Sequence, residues 1–224
     1  RAAWHERAGD LLSQTDTGTR YERLEAIAYH YSRSADPLKA ARFSRLAGDK
    51  ARTRQADEAA LAFYAQALAV SGGPEVAVER CRALEGRGDV HTLHNAAAAA
   101  RLDYQAALQD GSPDARRLRV KLALLAPLDG GAEPSLLAAL RASASADDPL
   151  SPWLGAALVW LLSEQDPPAA VGLCHDLIPT VGEPVRAVLE EAAERLNDGE
   201  ALFPYADLVA LFARSCLRLP PGDL

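Results

Sequence analysis

A recurring frame of small side chains, most often with an aromatic ring among them, sets the tightest bound on what this chain can fold into. From Gly88 the frame runs through His91, Ala100, Tyr104 and Ala107, and from Gly48 through Ala51, Ala60, Tyr64 and Ala67. Ala28, Tyr31, Ala40, Ser44 and Ala47 follow it, as do Ala157, Trp160, Ala169, Leu173 and Asp176. Two further sets keep the spacing without a ring: Ala123, Ala126, Ser135, Ala139 and Ala142, and, with one residue inserted, Ala193, Ala206, Ala210 and Ala213. From Gly88 onward the leading residues are 35, 34 and 36 apart, the length of a helix-turn-helix unit of ~34 residues. Small residues at fixed points let two helices approach closely, and the ring fills the space beside them. One such hairpin cannot bury its own apolar face, so neighbours must stack, which predicts an α-solenoid. An alanine-rich helical chain also matches small-residue patterns by chance. The Gly48 and Gly88 frames, each with a glycine, a tyrosine and paired alanines, carry the reading.

Proline and glycine cut the rest of the chain into pieces of helical length, and β-branched residues are too scattered to build a sheet. The spacing predicts helices over Ala3–Ser13, Tyr21–Ser34, Pro37–Arg54, Ala56–Val70, Pro74–Leu93 and Asn95–Gln109. A second series covers Asp114–Ala126, Pro134–Ala144, Pro152–Ser163, Pro167–Ile178, Pro184–Leu196 and Pro204–Leu217. Six prolines suit a first helical turn, where a missing N–H costs nothing. Asp36, Ser151, Asp166 and Glu183 precede four of them and offer caps or negative charge. Ala28 and Gly48 are only 20 residues apart. Pro37–Arg54 is therefore expected to serve two units at once, with an odd helix fitted between Ala56 and Cys81. The expected fold is all-α, about a dozen antiparallel helices, with residues 1–112 as well-formed repeats and 113–224 as degenerate repeats continuing the same solenoid.

Charge narrows the partners. The chain has 24 Lys+Arg against 31 Asp+Glu, a net charge of -7, which argues against a surface built for nucleic-acid phosphates. The first 112 residues carry fifteen charges of each sign, so all the excess acid lies in the second half. Cys81, Cys174 and Cys216 are widely spaced, with no Cys-x-x-Cys pair, so neither a disulfide framework nor a zinc ribbon is indicated and reduced cytoplasmic thiols are expected. The longest apolar run, Trp153 to Leu162, has ten residues, about half of the ~20 that cross a bilayer. No leader-like segment is visible. The chain begins at Arg1 and contains no Met, and the expectation is an excised region of a longer protein.

The residues of the best unit, from Cys81 to Asp114, are Leu84, Gly88, Ala100, Tyr104, Ala107 and Pro113. In that order they resemble the tetratricopeptide repeat, with Arg87 in place of the usual leucine and His91 in place of the usual tyrosine. The stretch Trp4 to Val70 is similar to the helical repeat region that follows the ATPase core in bacterial signalling ATPases associated with nucleotide cyclases or transcription activation. The carrying residues are His5, Gly9 and Leu12, then His30-Tyr31, Asp36-Pro37, Lys39-Ala40-Ala41, Ala47-Gly48-Asp49-Lys50-Ala51 and Glu58-Ala59-Ala60. That resemblance covers about a third of the chain and implies a right-handed α-α superhelix acting as a regulatory, protein-binding arm. It places an ATPase N-terminal to Arg1, since no Gly-rich phosphate loop is present in this sequence.

A solenoid binds along the face lined by its first helices. On Pro37–Arg54, Arg42, Arg45, Asp49 and Arg52 fall in one stripe, and Arg82, Glu85 and Asp89 occupy equivalent positions in the next unit. Three guanidinium groups along a groove suit a protein or peptide partner with acidic or phosphorylated side chains. An ordinary solvated face reads the same way. His91 and His94 are spaced like a metal pair but lack a third ligand, and packing is the expected role of His91. Cys174, His175 and Asp176 are adjacent on a helix and so point apart, which defeats a triad. Glu190, Glu191 and Glu194 form an acidic face with no cleft implied. Trp153 and Trp160 are expected in the core. No catalytic constellation, cofactor or metal emerges. The expectation is a non-enzymatic interaction and regulatory scaffold contacting a neighbouring domain, with a small-molecule effector module as the alternative.

Overall fold

The computed structural model describes residues 1–129, 137–138, 141–142, 150–202 and 204–216. Among these the chain is all helical. It divides into two compact units, Arg1–Leu118 and Arg119–Cys216.

The first unit contains α1 (Ala2–Ser13), α2 (Thr17–Glu22), α3 (Leu24–Tyr31), α4 (Pro37–Thr53), α5 (Asp57–Leu68), α6 (Pro74–Leu93) and α7 (Ala97–Gln109), and the start of α8 (Ala115–Leu125). The division falls inside α8, a few residues beyond residue 112, where the well-formed repeats are expected to give way to degenerate ones. Local chemistry sets the ends. Asp36 accepts the Lys39 N–H at 2.9 Å with Pro37 in the first turn, and Asp16 accepts the Thr19 N–H at 3.0 Å. The expected helix Tyr21–Ser34 is interrupted at Arg23, which separates α2 from α3.

Pairing within this unit is regular. Contacts at Cys81 with Ala107, Arg87 with Asp103 and Thr92 with Tyr104 show α6 and α7 running antiparallel. Contacts at Arg45 with Glu79 and Arg52 with Asp89 show α4 and α6 running parallel. α4 pairs with α5, and α6 with α7, through turns of one design. Gln55 and Asn95 both take positive φ, at 59° and 56°, and the following N–H groups of Ala56 and Ala96 donate to Ala51 and His91 oxygens at 2.9 and 2.8 Å. These positions are 40 residues apart, as are Gly48 and Gly88 and as are Tyr64 and Tyr104. The step inside this unit is thus longer than the ~34 residues of the expected repeat, because α6 starts early and has 20 residues. As the expected double use of α4 requires, α4 packs against both α3 and α5; α3 packs on α1 as well, and the helix that falls between Ala56 and Cys81 is α5, the partner of α4 in its own hairpin.

The second unit holds the rest of α8, a 3₁₀ turn (Ala126–Asp129), α9 (Ser151–Gln165), α10 (Pro167–Leu177), a second 3₁₀ turn (Ile178–Thr180), α11 (Val185–Asn197) and α12 (Tyr205–Cys216). Asp166 caps α10 by accepting the Ala169 N–H at 3.1 Å. Ser151 lies inside α9 rather than before it. All eight residues from Trp153 to Trp160 are buried, so α9 is a central helix, apolar on every side. One continuous cluster of Leu, Val, Ala and Trp side chains surrounds it, and Trp153 meets Phe212 edge-on at 5.5 Å. The expected helix Pro134–Ala144 lies outside the described residues except at 137–138 and 141–142, which are helical. Ser135 and Ala139 of the Ala123 frame lie outside them too.

Candidate functional site

The residues expected to line a groove on α4 and α6 sit on a ladder of glycines, tyrosines and carboxylates that the backbone brings into register. At Gly48 an added Cβ would meet the Tyr64 ring at 2.7 Å, and at Gly88 it would run into the Tyr104 ring. Gly86 abuts the hydroxyl end of Tyr64, where a Cβ would lie 2.5 Å from the hydroxyl oxygen. Each tyrosine is buried, and each hydroxyl donates to the aspartate that follows the glycine: Tyr64 to Asp49 at 2.7 Å and Tyr104 to Asp89 at 2.8 Å. The same device recurs in the first hairpin, where Gly9 faces the Tyr31 ring and Tyr31 donates to Asp10 at 2.8 Å. Gly-Asp on the first helix and Tyr on the second is therefore a threefold motif of this unit. The glycine makes room for the ring and the aspartate receives its hydroxyl.

Every one of these aspartates also holds a cation. Lys39 reaches Asp10 at 2.7 Å, and Arg45 reaches Asp49 at 2.5 Å and Glu79 at 2.6 Å. Arg52 forms a very short bond to Asp89. Glu79 also faces Arg82 at 3.5 Å, and Glu85 receives Arg117 of α8 through two bonds, at 2.6 and 2.7 Å. Arg87 and Asp103 form a similar bidentate pair across α6 and α7.

The structure thus brings six of the seven expected groove residues, Arg45, Asp49, Arg52, Arg82, Glu85 and Asp89, into ionic contacts linking α4, α6 and α8. It places them differently from an open stripe. The Arg45 side chain is 5% exposed and that of Arg52 13%, and both charges are neutralised by neighbouring carboxylates. Arg42 alone stands exposed on the outer face of α4.

Burial and charge pull in opposite directions here. Burial alone works against the Arg52 charge, but Asp89 and the oxygens of Tyr64 and Asp49 outweigh it and raise its proton affinity. Arg45 follows the same pattern through Asp49 and Glu79. For Arg117 the hydrogen bonds from Glu85 come first in raising it. Burial drives the Tyr64 and Tyr104 hydroxyls well above the ordinary phenol range, with Asp49 and Asp89 adding to the effect. These are locked, neutral donors rather than proton-transfer groups. Replacing a whole buried ion pair by apolar residues is often neutral, whereas removing one partner costs ~3–5 kcal/mol. The ladder therefore specifies which helices pair and in what register more than it adds net stability.

The other residues singled out in the sequence separate in space. His91 faces Asp103 at 3.7 Å, while His94 bonds Asp57 at 2.9 Å, so the two do not converge. No group of three or more metal-ligating residues forms among the described residues. Cys174 is fully buried and its thiol is pushed up to about 11 by burial, while His175 and Asp176 are exposed. Glu190, Glu191 and Glu194 are exposed, and Glu191 pairs with Arg195 at 2.9 Å. Trp153 and Trp160 are core residues. At α9 a close approach falls at Gly155, where an added Cβ would lie 2.7 Å from the Leu177 side chain, two residues before Ala157 of the expected frame.

Sequence reasoning treated Tyr64 and Tyr104 as fillers and passed over Glu79 and Arg117. The signal that finds the hydroxyl bonds is the dipeptide Gly-Asp at 9–10, 48–49 and 88–89, each followed by a tyrosine on the partner helix. Comparison of the chain with protein-family models, with curated proteins and with solved structures returns no match. No helix among the described residues is long and apolar enough to cross a membrane.

Proposed function

We propose that this chain is a non-enzymatic, tetratricopeptide-like scaffold whose stacked helical hairpins form a right-handed α-α superhelix. It binds a protein or peptide partner and acts as a cytoplasmic regulatory arm for a signalling ATPase. The observation that carries this reading is the Gly-Asp and Tyr interlock, repeated in three successive hairpins with the same roles for the same residue types. Repetition of one packing device supports a repeat architecture, and repeat architectures present extended surfaces rather than single clefts. In this reading Arg45, Asp49, Arg52, Glu85 and Asp89 hold α4, α6 and α8 in register, and the groups offered to a partner are the exposed Arg42 and the better exposed edges of the ladder at Arg82 and Arg117. Acidic side chains are the matching chemistry.

Two measurements test the proposal. A compact globule of 224 residues has a radius of gyration of about 17 Å. Small-angle scattering on the chain is expected to give a clearly larger value, and a value near the globular one rejects the superhelix. For the binding role, the chain is screened against acidic peptides, and any ligand is re-measured with Arg42→Glu and Arg82→Glu. The double reversal is expected to weaken binding at least fivefold, and unchanged affinity rejects this surface.

A further inference from the structure

At the open end of the first hairpin, outside the ionic ladder, α1 and α3 bring two histidines edge to edge. The Nδ1 atoms of His5 and His30 are 3.1 Å apart, while the ring centroids are 5.3 Å apart and the planes are inclined at 45°. The rings therefore meet through their nitrogens and not through their faces. In the metal-free protein one Nδ1–H donates to the other Nδ1, which requires complementary tautomers.

The same separation suits a different occupant. Two imidazole nitrogens bound to one Zn(II) at about 2.0–2.1 Å lie about 3.3 Å apart in a tetrahedral array and about 2.9 Å apart at a right angle. The observed 3.1 Å falls between these, so the nitrogens need not move apart for an ion to replace the shared proton; the rings turn so that both lone pairs aim at it. We propose that His5 and His30 form a two-histidine seat for a divalent d-block cation of the Zn(II) and Cu(II) kind, with water or a small anion completing the coordination.

The surroundings support that occupant. His30 is followed directly by Tyr31, whose ring is clamped against Gly9 and whose hydroxyl is tied to Asp10, so the two backbones that carry the histidines are fixed relative to each other. A pair held in place by its supporting shell binds without the cost of ordering it. Trp4 packs 5.0 Å from His5 and 5.5 Å from His30, and Tyr29 packs 6.0 and 5.4 Å from them, so aromatic rings wall the seat. Both histidines are half-buried, and Trp4 and Tyr29 stay 64% and 50% exposed, which leaves the outer side open for entry. Arg33 lies over the Tyr29 ring at 3.8 Å; its positive charge opposes a cation, so an anion among the remaining ligands would have to offset it. Imidazole donors select Zn, Cu and Ni over Mg and Ca.

The experiment is a titration of the chain with Cu(II) at pH 7.5, read by calorimetry and by quenching of Trp4, with Trp4→Phe identifying the quenched ring. Binding of one equivalent is expected, with Zn(II) competing and Mg(II) not. His5→Gln and His30→Gln are each expected to weaken binding at least about tenfold, the scale seen when a metal site loses a supporting group. Equal binding by wild type and both variants, or no uptake by wild type at micromolar Cu(II), overturns the proposal. A second readout does not depend on the variants folding. In the 15N-labelled wild type, Zn(II) is expected to shift the ring nitrogens of His5 and His30, and shifts confined to His91, His94 or His175 overturn the proposal as well.

Discussion

The two units of this chain solve the same packing problem with different chemistry. In residues 1–118 the described apolar clusters around α3, α4 and α5 are small and are joined through Phe43 and Phe63, and buried tyrosines, aspartates and arginines lie among them. In residues 119–216 one continuous apolar cluster runs through α9, α10, α11 and α12, Lys121 is a buried charge beside it, and one ion pair, Arg195 with Glu191, is on the surface. Apolar contact is non-directional and tolerates sliding. A hydroxyl bonded to one aspartate at one distance does not. The first unit therefore gains a defined helix register from polar groups that contribute little net stability, and the second gains stability from burial with fewer constraints on register.

The sharpest way to break this comparison is to remove a single charge from each side of it. Asp89→Ala strands the buried Arg52 guanidinium and takes one hydrogen-bond partner from the Tyr104 hydroxyl, and is expected to cost ~3–5 kcal/mol, read as lost amide-exchange protection across α4, α6 and α7. Protection that survives shows that the ladder is ornamental. In the second unit Glu191→Ala is expected to change stability by less than ~0.5 kcal/mol, while Trp160→Ala is expected to cost a similar ~3–5 kcal/mol through cavity formation. The two losses should differ in kind: Asp89→Ala disturbs register, and Trp160→Ala leaves register intact and lowers the melting temperature.

Glycine substitutions come next. Gly88→Ala drives a methyl into the Tyr104 ring and is expected to destabilise by ~1–3 kcal/mol, the range for overpacking. Gly172→Ala, on an exposed face of α10 with nothing within 4 Å, is expected to stabilise by ~0.5–1 kcal/mol. Denaturant unfolding monitored by helicity separates the two, and a neutral Gly88→Ala rejects the close crossing. Tyr104→Phe, which removes the hydroxyl with its bonds to Asp89 and Thr92, is expected to cost ~1–2 kcal/mol.

The smallest expected effects are those of pH. Hydrogen bonds from Lys39 and Tyr31 hold Asp10 below its usual value of 3.8, and Arg54 holds Glu22 below its usual 4.5. A carboxylate depressed on folding favours the native state above its unfolded value, and this contribution is lost as pH falls through the folded value. Both groups are solvent-exposed, so the effect is modest. Acid titration between pH 5 and pH 2 is expected to loosen the first unit before the second, read by residue-resolved exchange. In alkali the sign reverses: Tyr64 and Tyr104 are raised by burial, so their contribution is complete below about pH 10 and is lost as pH climbs towards the folded value. The part of the tyrosinate absorbance that is lost in Tyr64→Phe and Tyr104→Phe is expected to appear together with unfolding; its appearance in folded protein rejects the burial of these rings.

Much of the helical layout was legible in the sequence because its signals are local. Pro37 after Asp36 and Pro167 after Asp166 mark helix starts through caps that need no distant partner, and α6 ends where expected, at Leu93. The Gly48 and Gly88 frames pointed to close crossings, since only glycine leaves room for a ring against a helix backbone. The candidate groove was half legible. Spacing put Arg45, Asp49 and Arg52 on one stripe, but whether a stripe faces water depends on which helix lies across it, and Glu79, Asp89 and Arg117 come from other helices.

The sequence by itself determined the helical class, the caps and the points where helices approach, because these depend on residues within a few turns of each other. Only the tertiary structure decided that α1 pairs with α3, that the tyrosine hydroxyls end on aspartates, and that two of the three arginines of the α4 stripe are buried and neutralised. Those outcomes depend on contacts between residues 15 to 37 positions apart, and a charge or hydroxyl is read correctly only once the group opposite it is known.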